Sequence, residues 1–170
     1  MICINLFGVP CSGKSTASAY IFYRLKEHGI NCELVCEFAK DMVWDNNSVA
    51  LHNQLYIAGN QSYKIDRLSK KVDVVITDSP LMLQAVYYRK NKCTNPDMFE
   101  ILMYNIHCEY ENFNYLLPIP EIYEENGRIH TVNDLNDIYN LTTDMFSKYS
   151  IKYTSISRTT HSYDRIADYI

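Results

Sequence analysis

The chain has 170 residues, 47% of them hydrophobic, and a net charge of −4. That is a length for one domain with a sizeable core; the charge argues against a protein that coats nucleic acid through bulk electrostatics. No apolar stretch approaches the ~18 to 20 residues needed to span a bilayer, so no membrane partner is expected. The first strand begins at the amino terminus, so no signal or transit peptide is expected and a cytoplasmic location is. Six cysteines include no C-x-x-C pair, which disfavours a zinc site or a disulfide framework. Cys32 and Cys36 read instead as small buried hydrophobes on one face of a strand.

Apolar runs alternate with segments of helical period, the pattern of a parallel sheet wrapped by helices, here in a single domain over residues 1–170. The first strand is expected at 2–7 and the first helix at 14–28, ended by His28-Gly29. A second strand at 31–36 ends at Glu37, and a short helix follows over 38–45. One long helix is expected over 49–70, with Leu51, Leu55, Ala58, Ser62 and Ile65 three or four residues apart. The unbroken run 72–77 is a strand buried on both faces. Helices are expected at 81–88 and 97–108, and a fourth strand at 114–117.

The segment 118–130 carries two prolines, an acidic cluster and Asn126-Gly127, which exclude regular structure throughout. Thr131 to Asp134 resembles a capping box that opens a helix burying Leu135, Ile138, Met145 and Tyr149. A fifth strand at 151–156 and a closing helix at 163–170 complete the chain. Right-handed crossovers place ligands at the carboxyl ends of such strands. The turn after the first strand, Glu37 and Asp78 all fall at that edge.

That first turn reads Gly8-Val9-Pro10-Cys11-Ser12-Gly13-Lys14-Ser15, or G-x-x-x-x-G-K-S, between a strand and a helix. The two glycines permit torsions that a Cβ would forbid. Inward-turned amides of Pro10-flanking residues, Cys11, Ser12, Gly13 and on to Thr16 then make a cradle for anionic oxygens at a helix N-terminus. Lys14 supplies a cation for the β- and γ-phosphates, and Ser15 a hydroxyl for a magnesium ion. The pattern predicts a phosphate-binding P-loop that takes ATP with Mg2+.

Asp78 follows the third strand in Thr77-Asp78-Ser79-Pro80, where P-loop enzymes hold magnesium; the plain alternative is a helix cap. Glu37 stands where a carboxylate would take the proton of an acceptor hydroxyl, or would be a solvated loop residue. Lys40 and Asp41, one turn on, either touch substrate or form a surface ion pair. Gln54 and Gln61 are seven apart and share a helix face, where two amides can read the edge of a base. Trp44, Tyr56 and Tyr63 are expected in the core rather than stacked on a ligand ring. Arg128 lies in the irregular segment, where a mobile loop about 118–131 can close over phosphates and bring in a guanidinium. Arg158-Thr159-Thr160, after the last strand, would by fold position flank the donor base.

These residues, in order, resemble a family of small phage-encoded P-loop proteins often labelled AAA-type ATPases. The resemblance rests on the P-loop, Glu37-Phe38-Ala39-Lys40-Asp41, the Gln54…Gln61 helix, Val74 to Pro80 and Gly127-Arg128…Thr131. The family is similar to ribosylnicotinamide kinase domains and, more distantly, to deoxynucleoside and thymidylate kinases. Some relatives phosphorylate 5-hydroxymethyluracil in phage DNA. The resemblance implies an α/β P-loop NTPase fold of the nucleoside/nucleotide kinase type. Its sheet would be five-stranded and parallel, in order 2-3-1-4-5, with helices on both faces.

It further implies MgATP on residues 12–16, Glu37 or Asp78 as acceptor base or magnesium partner, Gln61 facing a base, and Arg128 as the lid arginine. The location would then be the host cytoplasm. One departure stands out: Glu121, Glu124 and Glu125 lie where family members tend to carry basic residues, which would repel a DNA backbone. The expected activity is therefore transfer of the γ-phosphate of ATP to a hydroxyl of a nucleoside- or nucleotide-type acceptor. The alternatives are a kinase of hydroxymethylpyrimidine in DNA and a regulatory ATP-binding module without acceptor. A GTPase is disfavoured because Asn91-Lys92-Cys93-Thr94 lacks the guanine-reading aspartate, and an AAA+ motor because the length leaves no helical subdomain. Donor-base preference and oligomeric state, homodimer included, stay open.

Overall fold

A computed structural model describes residues 1–123 and 131–170. Strand β1 (Ile2–Phe7) leads through the glycine-rich turn into α1 (Lys14–Glu27), and β2 (Cys32–Val35) into α2 (Phe38–Trp44). Two helices follow, α3 (Ser48–His52) and α4 (Gln54–Asp66), then β3 (Val74–Thr77), α5 (Leu81–Lys90), α6 (Pro96–His107) and β4 (Glu111–Leu116). Beyond the undescribed residues come α7 (Asp134–Lys148), β5 (Thr154–Ser155) and α8 (Thr160–Ala167). The sheet order is β2-β3-β1-β4-β5, and every neighbouring pair is parallel. This is the α/β arrangement expected above.

β1 lies at the centre because it is apolar on both faces. Ile4 and Leu6 pack with Ala17, Ile21 and Leu25 of α1 and with Tyr163 and Ile166 of α8. Phe7 turns the other way, against α5, α6 and α7, where its ring meets Phe146 edge-on at 4.8 Å. With both faces covered by helices, the inner strands read as continuous hydrophobic runs rather than alternating ones. An ion network centred on the buried Glu100 ties α5, α6 and α7 together: Glu100 receives Arg89 and, at 2.7 Å, Lys148. Burial acts to raise the Glu100 carboxyl, but hydrogen bonds from Arg89 and Lys148 overcome it and hold the group below its usual range.

Several local expectations change. The single helix over 49–70 is two, broken at Asn53, whose backbone leaves the helical region (φ −95°, ψ 83°). Asn47 and Asn53 each accept a backbone N–H three residues on, from Ala50 and Tyr56, and so each starts a helix. The break rotates the pattern: Gln54, Ile57, Ala58, Gln61 and Ile65 are buried, whereas Leu55 is exposed. Tyr56 and Tyr63 consequently stand on the outer face, and Trp44 is 63% exposed at the end of α2, so none of the three is core. Cys32 is buried, but β2 stops at Val35 and Cys36 is exposed. Tyr149 is half-buried at the end of α7, its ring tilted against that of Tyr104 with centroids 4.7 Å apart.

Candidate active site

At the carboxyl end of β1 the chain must turn sharply without side chains in the way. Gly8 has φ +150°, and a Cβ there would lie 2.5 Å from Ser12 Oγ. Gly13 has φ +90° and directly precedes α1. Both conformations favour glycine. Cys11 also adopts a positive φ of 65°, and the loop is braced by Ser12 N–H donating to Val9 O at 3.2 Å. Lys14 folds back along the loop, its Nζ donating to the carbonyls of Gly8 and Val9 at 2.8 Å each.

Beneath this loop lies Asp78, 3% exposed. Its Oδ2 accepts from Ser15 Oγ at 2.6 Å, and its Oδ1 accepts from the backbone N–H of Glu37 at 2.9 Å. Three turns, after β1, β2 and β3, are thereby joined at one carboxylate. They open on a cavity of about 670 Å³ lined by residues 10–16, Glu37, Lys40, Trp44, Gln54, Gln84, Tyr87, Ile122 and Arg158, among others. Burial, and then the negative charge of Glu37, push the Tyr87 phenol well above its usual range, so it is a neutral hydroxyl at any working pH.

The two glutamines part company. Gln61 is 1% exposed and both ends of its amide are used inside the protein. Its Oε1 accepts from Phe38 N–H at 3.0 Å and its Nε2 donates to Thr77 Oγ1 at 3.3 Å. Instead of facing a base it ties the turn of Glu37 to the turn of Asp78, because the α4 face it shares points at the sheet. Gln54 does line the cavity, with Nε2 donating to Gln84 Oε1 at 2.9 Å, while Gln84 donates to Ser79 Oγ at 2.7 Å.

Sequence reasoning passed over Gln84, which carries no motif, and Tyr87, which reads as an ordinary helical aromatic. Lys40 lines the cavity, whereas Asp41 pairs with Lys64 at 3.1 Å. Arg128 lies outside the described residues. Of the lid-like segment, residues 118–123 and Thr131 are described, and Ile122 reaches the cavity.

The donor set suits a magnesium–polyphosphate ligand. Ser12 Oγ is buried and has no hydrogen-bond partner among the described residues, an arrangement that costs free energy unless a ligand supplies one. The α1 N-terminus carries no acidic residue in its first turn, leaving its positive end for an anion. Ser15 and Asp78 put a hydroxyl and a carboxylate, both hard oxygen ligands, side by side.

A protein-family model described as an AAA domain matches residues 3–164. The chain belongs to this AAA-domain family. No curated protein matches it. Among solved structures, this AAA-domain protein is similar to deoxyadenosine kinase from M. mycoides, determined with the product dCMP and a flexible dCDP bound. The two share 13% identity over 98% of this chain and 97% of that one, with a TM-score of 0.60. The likeness is one of fold, a P-loop kinase fold. No helix among the described residues is long and apolar enough to cross a membrane.

Proposed function

We propose that this AAA-domain protein is a P-loop kinase that transfers the γ-phosphate of ATP to a hydroxyl of a nucleoside- or nucleotide-type acceptor. The observation that carries this reading is that the phosphate loop and Glu37 line one cavity, with the buried Asp78 joining Ser15 to the Glu37 backbone beneath it. An acceptor hydroxyl needs a carboxylate within reach to take its proton, and Glu37 lines the same cavity as the phosphate loop. Lys14, Ser12 and the loop amides would hold the polyphosphate, and Ser15 with Asp78 the magnesium ion. The metal, when bound, would offset phosphate charge. Glu37 would orient the acceptor hydroxyl and take its proton as the new P–O bond forms and ADP departs. Such a site acts by positioning and charge neutralisation more than by covalent chemistry.

The acceptor side has the character of a nucleoside pocket. Trp44 offers an exposed ring, and Val43, Leu51 and Ile57 an apolar wall. The Gln54–Gln84 amide pair adds hydrogen-bonding groups that can read a base edge. The fold relative is itself a deoxyadenosine kinase.

Incubation with γ-labelled ATP and magnesium, against free nucleosides, nucleotides and hydroxymethylpyrimidine-containing DNA, tests the reading. Label is expected on a free nucleoside or nucleotide. Label only on DNA would move the acceptor to the polymer, and slow hydrolysis unchanged by every acceptor would leave a regulatory ATP-binding module. Glu37→Gln is expected to bind ATP like the wild type while losing transfer by at least about 100-fold; equal loss of both would make Glu37 structural.

A further inference from the structure

Arg158 occupies the turn between β5 and α8, at the same sheet edge as the glycine-rich loop. The turn is stiff. Ile156 N–H donates to Leu116 O at 3.0 Å, Thr159 caps α8 by accepting from Ser162 N–H at 3.3 Å, and Ser157 Oγ lies 2.6 Å from Ser162 Oγ. Helix α8 is in turn docked on α1 through Tyr163, Ile166 and Ala167. Tyr20 Oη donates to Asp164 at 3.0 Å and Arg24 pairs with the same carboxylate at 3.1 Å. The loop, α1 and α8 therefore form one unit, and Arg158 has a defined place relative to the loop.

That place is directly over Gly13. A Cβ on Gly13 would lie 3.2 Å from Arg158 Nε, and Arg158 lines the cavity together with Ser12, Lys14 and Lys40. No carboxylate pairs with it among the described residues. A guanidinium lying along the positive end of a helix, beside a lysine and with no counter-charge, is electrostatically unfavourable by itself. The exposed side chain could extend into water and avoid that cost. A polyanion seated on the loop reverses the sign of the interaction, and the planar guanidinium can donate two parallel hydrogen bonds to phosphate oxygens.

We propose that Arg158 is a triphosphate-binding residue, a second cation supplied in cis from the carboxyl-terminal turn to the phosphate chain held by residues 8–15. This rests on the reading of that loop as an ATP site. It assigns the β5–α8 turn to the phosphates rather than to the donor base.

The test uses the full chain as wild type, Arg158→Ala, Arg158→Lys and Lys14→Ala, titrated calorimetrically with MgATP and with inorganic tripolyphosphate. Arg158→Ala is expected to weaken both ligands by about 10- to 100-fold, the span of one charge-assisted contact. Arg158→Lys should recover part of that loss, and circular dichroism should show an unchanged fold. Unaltered ATP affinity in Arg158→Ala overturns the proposal. So does a loss confined to ATP with tripolyphosphate unaffected, which would put the guanidinium on the base. If the wild type binds neither ligand, the ATP reading fails and this inference with it; wild-type binding that Arg158→Ala leaves intact sinks this inference alone.

Discussion

Replacing Asp78 by asparagine separates catalysis from folding at a single buried atom pair. The carboxylate is 3% exposed and receives two neutral donors, Ser15 Oγ at 2.6 Å and Glu37 N–H at 2.9 Å; no ion pair offsets it among the described residues. Asparagine keeps the shape, and its one carbonyl can still accept from Glu37. Its Nδ2 only donates, so the bond from Ser15 is lost or reversed. A hydrogen bond to a charged group contributes about 1.5 to 3 kcal/mol, but the variant also no longer buries a carboxylate without a cation, which returns several kcal/mol of desolvation in part.

The two terms nearly cancel, and urea unfolding should place Asp78→Asn within about 1 kcal/mol of the wild type. Turnover should behave differently. If Asp78 and Ser15 hold the metal as proposed, phosphoryl transfer is expected to fall by about 100- to 1000-fold, or about 2.7 to 4 kcal/mol of barrier. Steady-state rates with ATP and the best acceptor measure this, with unfolding curves on the same preparations. A variant that is destabilised by more than about 2 kcal/mol yet transfers phosphate at the wild-type rate would show that Asp78 is only a structural cap.

Lys14→Ala should abolish detectable ATP binding and cost about 1 to 3 kcal/mol in urea, because it removes the donor to the carbonyls of Gly8 and Val9. Retained ATP affinity would remove the loop from the site. Gln61→Leu should cost about 2 to 3 kcal/mol in urea, since it strands the Phe38 amide and takes a donor from Thr77. It should also lower the transfer rate with little change in ATP affinity; a stability loss with unchanged transfer would mean the tether does not govern Glu37.

His107, buried at the end of α6, has its pKa pushed down to about 4 by desolvation. The unfolded chain then binds the extra proton first as pH falls below about 6.5, so this group's stability is whole above that value and is lost toward pH 4. Between pH 6.5 and 5 the loss should be roughly 1.5 kcal/mol, and His107→Gln should flatten it. An equal slope in the variant would assign the effect to other groups.

The phosphate loop was legible because it is a local device. Its glycines, lysine and serine lie within eight consecutive residues, and the torsions they need, +150° at Gly8 and +90° at Gly13, follow from residue type. Apolar runs on β1 and β3 likewise marked inner strands of a parallel sheet, since only a sheet covered on both sides accepts them. The break at Asn53 was hidden because the leucines and alanines continue helical spacing straight through it. Only the asparagine cap records the stop.

Pairings between distant segments were beyond the sequence. Gln54 and Gln61 look equivalent as letters, yet one meets Gln84 in the cavity and the other spans from Phe38 to Thr77 in the interior. Both lie on one face of α4, and their places along it decide which is which: Gln54 at its start reaches the cavity, and Gln61 about two turns on lies inside. Arg158 likewise gains its place over Gly13 from the docking of α8 on α1, across more than a hundred residues of chain. Residue type and near-neighbour spacing determined where a phosphate could sit and that the sheet would be parallel. Which carboxylate, amide and guanidinium surround that place was decided by packing, because burial and long-range hydrogen bonds select among side chains that are locally alike.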